Sequence, residues 1–354
     1  MKKKCTRALC ILLTLCILIG ALWTAGRVLR PKYLTASPEG SLTAEYYADV
    51  AEVSHDVLFV GDCEVYESFI PAVLWEQYGI SSYVRGSAQQ LVWQSYYLLE
   101  DALRYETPQV VVFNVLALKY GEPQSEAYNR MTLDGMAWSQ TKVNAIRASV
   151  TEEESFLSYL LPVLRFHSRW DELTAEDWRY AFGAKPTISD SGYLMQTGIQ
   201  PADSEGDDAL HETLTDPSLP ASALSWLDRM ADLCEEKGIA LVLVKSPTNS
   251  WRYWWYDEWD QQIRDYAAER GLAYYNLIPD GEAMGLDWSQ DTYDGGIHLN
   301  VTGAEKLSVW FGRILSQELQ VPDRRAEEPY AQVWDGRVSD FYDRWASLAG
   351  SGKS

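Results

Sequence analysis

"VLFVGDCEVYESF", residues 57–69, is an apolar run that stops at Gly61-Asp62-Cys63 and passes at once into an acidic, aromatic segment. An uninterrupted apolar stretch bounded by a turn reads as a buried strand. A thiol therefore stands where that strand opens onto a surface turn. Two readings of Cys63 stay open at this point, a nucleophile or a small apolar residue filling a gap. A helix starting after the turn would aim its N-terminal dipole at the thiol and lower its pKa.

Outward from this stretch, strands and helices alternate. Residues 68–78 form a short helix candidate, "SSYVRG" (81–86) a second strand, and "QQLVWQSYYLLEDALRY" (89–105) a strongly periodic helix. "PQVVVFNV" (108–115) is a third strand with a continuous β-branched run at 110–112, as expected of a strand buried on both faces. Later come a helix around 221–237, the strand "IALVLVKS" (239–246), a helix around 256–270, the strand "LAYYNL" (272–277) and a helix from Ala304 to about Gln317. This order predicts an α/β fold, a doubly wound, mostly parallel sheet flanked by helices, with ligands beyond the carboxyl ends of its strands.

An insertion, about 120–220, interrupts the pattern. Its first part is amphipathic and helical, suited to capping the active edge, and its acidic end, "GIQPADSEGDDALHETLTDPSLP", reads as surface loop. The resulting organisation is a membrane segment over 1–32, a lead-in over 33–54, the α/β domain over 55–318 and a polar tail over 319–354 with one amphipathic helix.

Charge divides the 354-residue chain sharply. The first 32 residues hold seven basic side chains and no acidic one, so in a chain of net −21 the rest carries −28. A body that acidic repels nucleic acid. The uncharged run from Ala8 to Gly26 is about the length that crosses a bilayer's ~30 Å hydrocarbon core. Lys2, Lys3, Lys4 and Arg7 precede it, which favours a cytoplasmic N-terminus and an exported body. A cleaved signal followed by secretion is the rival reading. Cys63 and Cys234 are the only cysteines of the body, and Cys234 falls at core spacing with Leu227, Met230 and Ala231, so no disulfide framework is expected.

"TYDGGIHLNVTGAEKL" (292–307) places His298 in a Gly-rich turn just before the last helix, with Asp294 four residues earlier. An Asp beside a His on such a loop fixes its tautomer, as a His–nucleophile pair requires. His55, His167 and His211 read as satisfied or solvated. Trp251, Trp254 and Trp255 in "SWRYWWYDEWD" (250–260) are candidates to stack on sugar rings, though such aromatics more often build core. Lys245 and Ser246, ending the fourth strand, face the same edge. There is no zinc spacing, P-loop, dinucleotide fingerprint or calcium loop, so neither metal nor cofactor is expected.

"FVGDCEVYES" with "DGGIHLN" resembles the SGNH/GDSL hydrolase superfamily, whose blocks are a Gly-Asp-Ser after the first strand and an Asp and His before the last helix. "YVRGS" matches the block of the oxyanion glycine at Gly86, and "PQVVVFNV" that of the oxyanion asparagine at Asn114. The resemblance covers about 55–119 and 238–316. Within the superfamily the chain is most similar to the membrane-anchored, cell-surface branch that includes teichoic-acid D-alanylation and alginate O-acetylation proteins. Two departures stand out: Cys63 replaces the family serine, and Asp294 lies four rather than three residues before His298.

The resemblance implies an extracytoplasmic acyl-ester hydrolase or O-acyltransferase acting on a cell-envelope glycan or related polymer. In it Cys63 attacks, His298 moves the proton, Asp294 orients His298, and Gly86 and Asn114 hold the oxyanion. A membrane-bound O-acyltransferase is the implied partner. The alternative is an inactive surface protein of the same fold that binds glycan or docks on such a transferase.

Overall fold

Five short strands carry the apolar runs: β1 (Val57–Gly61), β2 (Ser82–Gly86), β3 (Val110–Asn114), β4 (Ala240–Lys245) and β5 (Ala273–Asn276). All pair in parallel, in the order β2-β1-β3-β4-β5, in a computed structural model that describes residues 2–30, 39–183, 186–202, 215–250 and 255–350. The helices are α1 (Lys2–Val28), α2 (Ser41–Glu52), α3 (Cys63–Tyr66), α4 (Pro71–Tyr78), α5 (Val92–Ala102), α6 (Glu126–Leu133) and α7 (Gln140–Ser149). There follow α8 (Phe156–Leu160), α9 (Val163–Phe166), α10 (Ala175–Phe182), α11 (Ala221–Lys237), α12 (Asp257–Arg270), α13 (Val301–Arg313) and α14 (Tyr330–Gly350).

The strand period of two decides which side chains meet which helices. Val57, Phe59, Val110, Val112, Val242 and Val244 point to one face and pack with α4 and α13. α5 and α11 contact the sheet from β1 and β4 and also touch each other. The expected doubly wound sheet is what forms. The helix expected over 68–78 instead starts at Pro71, whose ring suits the first helical position and cannot continue a helix from upstream. The single turn α3 is thereby set apart, and it carries Cys63.

The chain divides into two compact units, one of residues 1–38 with 150–187 and one of 39–149 with 188–354. The insertion is split between them. Its helices α6 and α7 pack on α2 and α5 within the second unit, whereas α8, α9 and α10 belong with α1. The C-terminal segment is no solvated tail. Trp334 of α14 is buried, stacks on Trp75 at 5.8 Å and donates from Nε1 to Ser81 Oγ at 3.0 Å. Phe341 enters the main core. The tail is polar enough to read as solvated, but Trp334, Val338, Phe341 and Trp345 recur on one helical face, which is the face that packs.

His55, just before β1, is fully buried between two acids, with Nε2 2.8 Å from Asp49 Oδ1 and Nδ1 3.0 Å from Glu106 Oε2. Burial alone would lower its pKa, but the hydrogen bonds to Asp49 and Glu106 outweigh it and raise the pKa from 6.5 to about 9. A group raised on folding contributes fully below its unfolded pKa, and loses that contribution as pH climbs through the folded one. Unfolding free energy should therefore fall by on the order of 2–4 kcal/mol between about pH 7 and pH 10. Urea titrations across that range check this, with His55→Gln expected to flatten the slope. Equal slopes in both proteins would remove the role.

Candidate active site

β1, β2, β3 and β4 deliver Gly61, Gly86, Asn114 and Lys245 to one edge of the sheet, the edge reached by their carboxyl ends. Gly61 has φ +154, and a Cβ there would stand 2.9 Å from Asn114 Cβ, so only glycine lets the chain leave the sheet at this point. Asp62 caps α3, its carboxylate accepting from the Glu64 amide at 3.1 Å. Gly86 lies directly against this turn. A Cβ on it would meet Val65 Cγ2 at 3.0 Å and the carbonyl oxygens of Gly61 and Asp62 at 3.2 Å. Cys63, the first residue of α3, is half-buried and free, as is the buried Cys234.

His298 is brought to Cys63 by the 291–300 loop. The Asp294 carboxylate grips it twice, Oδ1 accepting from the His298 amide at 2.8 Å and Oδ2 lying 2.7 Å from Nδ1. The extra residue between them is absorbed by Gly295 and Gly296, both at positive φ, and the loop is pinned where Asn249 N donates to Gly296 O at 2.8 Å. The imidazole lies close enough to the Cys63 thiol for each to shift the other's titration. Cys63, His298 and Asp294 thus lie near one another at this edge of the sheet.

The electrostatics run against one expectation. The thiol is not activated by a helix dipole: burial first, then the neighbouring Asp62 carboxylate, push it up to about 11 against the opposing pull of His298, with Glu67 also raising it. A single helical turn of four residues supplies too little dipole to compete. His298 moves upward as well. Burial opposes this, but Cys63, Asp294 and Glu67 together outweigh it.

Glu67 belongs to this group although no motif pointed to it. Its Oε2 lies 3.6 Å from His298 Nδ1, and both its oxygens accept from Tyr293 Oη at 3.0 Å. Burial pushes its carboxyl up to about 7, with His298 and Tyr293 pulling the other way. The available signal was its spacing: four residues after Cys63 is one helical turn.

Asn114 sits beside the nucleophile turn with its amide turned inward. Nδ2 donates to Glu64 Oε2 and to Ser246 Oγ, each at 3.0 Å, while Oδ1 accepts from Leu116 N at 2.9 Å. Lys245 Nζ donates to Glu64 Oε1 at 2.6 Å and to Ser246 O at 3.0 Å. One amide hydrogen of the expected oxyanion donor is thus engaged by the buried Lys245–Glu64 pair and the other by Ser246 Oγ, and Lys245 and Ser246 belong to that network rather than to an open cleft. Trp255, a candidate stacking surface, is buried against Trp259 at 5.4 Å and over Lys245 at 5.9 Å, so it is core. Trp251, Trp254 and His211 lie outside the described residues. Exposed His167 bonds locally, its Nδ1 3.1 Å from Leu164 O. Among the described residues no cluster of three metal-ligating side chains occurs.

No protein-family model and no curated protein matches the chain. Among solved structures it is similar to a GDSL-like lipase from Bacteroides thetaiotaomicron, with 13% identity and a TM-score of 0.34, over 78% of this chain and 96% of that one. It is also similar to a protein assigned as an acylhydrolase from Bacteroides fragilis, with 11% identity and a TM-score of 0.36, over 77% and 95% of the two chains. Likeness this distant carries no argument about activity.

Proposed function

We propose that this protein is an acyl-transferring enzyme of the SGNH type, an esterase or O-acyltransferase that works through a thioester on Cys63. One observation carries the reading: Asp294 holds His298 at Nδ1 while the same ring lies within electrostatic reach of the Cys63 thiol at the carboxyl edge of the sheet. That is the relay a neutral thiol needs. His298 Nε2 takes the proton from Sγ as Sγ bonds to the acyl carbonyl carbon. The tetrahedral oxyanion faces the backbone amides of Cys63 and Gly86. On collapse, the imidazolium returns its proton to the departing alcohol oxygen, leaving an S-acyl enzyme. Water, or a hydroxyl of an acceptor, then adds with His298 again as base, giving hydrolysis or transfer.

The rest of the reading concerns place and substrate. α1 contains a helical span, Thr6–Val28, long and apolar enough to cross a membrane, a test that signal sequences near an N-terminus also pass. Lys2, Lys3, Lys4 and Arg7 at its start support a body outside the cytoplasm, anchored beside the cell envelope. An acylated envelope glycan or polymer suits that location, with a membrane-bound O-acyltransferase as partner.

A binding protein without chemistry is the second reading, favoured by the engagement of Asn114 Nδ2 with Glu64 and Ser246. Incubation with an activated acetyl ester, followed by intact mass measurement under conditions that preserve thioesters, separates the two. The enzyme reading expects one acetyl on the wild type, none on Cys63→Ala, a more persistent adduct on Cys63→Ser, and little on His298→Ala. Equal labelling of all four, or none on the wild type, would leave the binding protein standing.

A further inference from the structure

The unit formed by residues 1–38 and 150–187 presents a surface that a water-facing protein does not. Seven large apolar side chains between Leu157 and Phe182 are exposed. Outside that segment and α1, the described residues expose only four, Tyr105, Trp138, Ile199 and Val309. The seven include Trp170, 72% exposed, Trp178 and Phe182, together with four leucines. Exposed large apolar side chains concentrated in one segment mark a membrane or partner contact.

What fixes the occupant is where the segment docks on α1. Pro162 packs on Gly26, its Cδ 3.4 Å from where a Cβ would stand. Arg27 Nε donates to Ala181 O at 2.9 Å, and its guanidinium lies 4.9 Å from the Trp23 ring and 5.6 Å from Phe182. Arg169 Nη1 donates to Leu29 O at 2.7 Å. Every one of these contacts falls on Trp23–Leu29. From Ala8 to Arg27 the helix rises roughly 29 Å, one hydrocarbon thickness. A span that begins behind Arg7 therefore ends at Arg27, and whatever is bound to Trp23, Gly26 and Arg27 lies at the level of the headgroups.

We infer that residues 150–187 form a collar around the outer end of α1 that lies in the bilayer interface, with Trp170, Trp178, Phe182 and the leucines of 157–164 immersed among headgroups and upper acyl chains. The inference rests on α1 spanning a bilayer, as in the function proposed above. Trp, Phe and Leu beside Arg are the residues that favour this layer. The described part of 150–187 carries more acidic than basic side chains, so apolar burial drives the contact and anionic lipid is not required. The collar also gives α1 a folded role that removal as a signal peptide would destroy.

The test uses the full chain with Cys5, Cys10, Cys16 and Cys63 replaced by Ser, reconstituted in phosphatidylcholine vesicles. An environment-sensitive fluorophore is attached at Leu164→Cys, Trp170→Cys or, as a reference within the span, Leu12→Cys. The collar labels should emit at shorter wavelength than in water, and should lose more intensity to a nitroxide near the headgroup than to one near the acyl terminus. The Leu12→Cys label should show the reverse, and high salt should change neither. Water-like emission from both collar labels with a quenched Leu12→Cys label would overturn the collar while sparing the anchor. An unquenched Leu12→Cys label would overturn both. Collar labels shielded only in native membranes, and not in pure lipid, would assign the surface to a protein partner instead.

Discussion

Asp294→Asn should slow acylation of Cys63 by on the order of 10³–10⁴-fold, whereas Glu67→Gln should change its pH profile more than its ceiling. The difference follows from what each carboxylate holds. Asp294 accepts from both the His298 amide and Nδ1, so it fixes the tautomer that leaves Nε2 free to take the thiol's proton. An asparagine amide can offer hydrogens to Nδ1 and stabilise the wrong tautomer with the loop unchanged. Glu67, at 3.6 Å, contributes charge without that geometry. Its charge helps keep His298 protonated, and a protonated imidazole cannot act as base. Acylation should therefore rise with pH as His298 loses its proton, and Glu67→Gln should move that rise to lower pH. Rates of adduct formation from about pH 5 to pH 10 measure both effects. An Asp294→Asn rate within about tenfold of wild type at every pH would break the relay.

What could be read from the sequence was what the chain encodes locally. β1 and β3 announce themselves because strands buried on both faces need uninterrupted Val, Leu and Phe. His298 and Asp294 were legible because they stand four positions apart, and two glycines mark the turn that brings them back together. Glu67 escaped because its position depends on α3 ending before Pro71, which the helical periodicity of 68–78 concealed. Nothing local tells Asn114 that Glu64 and Ser246 will take its amide hydrogens, since Ser246 arrives from a strand 132 residues away. The docking of 150–187 on α1 is likewise set by contacts such as Arg27 with Ala181, 154 residues apart. Trp255 shows the converse limit. Aromatic richness gives no direction, and this ring turned toward Lys245 and the core.

The buried Lys245–Glu64 pair should be the most sensitive point of the fold. Lys245 has no exposed surface and Glu64 almost none, yet the two lie on segments 181 residues apart and meet at 2.6 Å. Neither can return to water without opening the sheet edge. Lys245→Met should consequently destabilise the protein by about 3–5 kcal/mol, because Glu64 would lose its ion-pair partner in a buried site, with the Asn114 amide and the nearby charge of Lys119 left to compensate. The additional change Glu64→Gln removes the carboxylate charge, and Lys245→Met with Glu64→Gln should recover most of the loss. Recovery in the double variant separates an uncompensated charge from a simple packing defect, which a second substitution would deepen. Urea denaturation of the full chain in detergent, followed by tryptophan fluorescence, measures all four proteins of the cycle. A loss below about 1 kcal/mol for Lys245→Met would mean that water reaches Glu64 after all. Asn114 would then be able to turn from Glu64 toward an oxyanion, and the inward-facing amide would no longer favour a protein without chemistry.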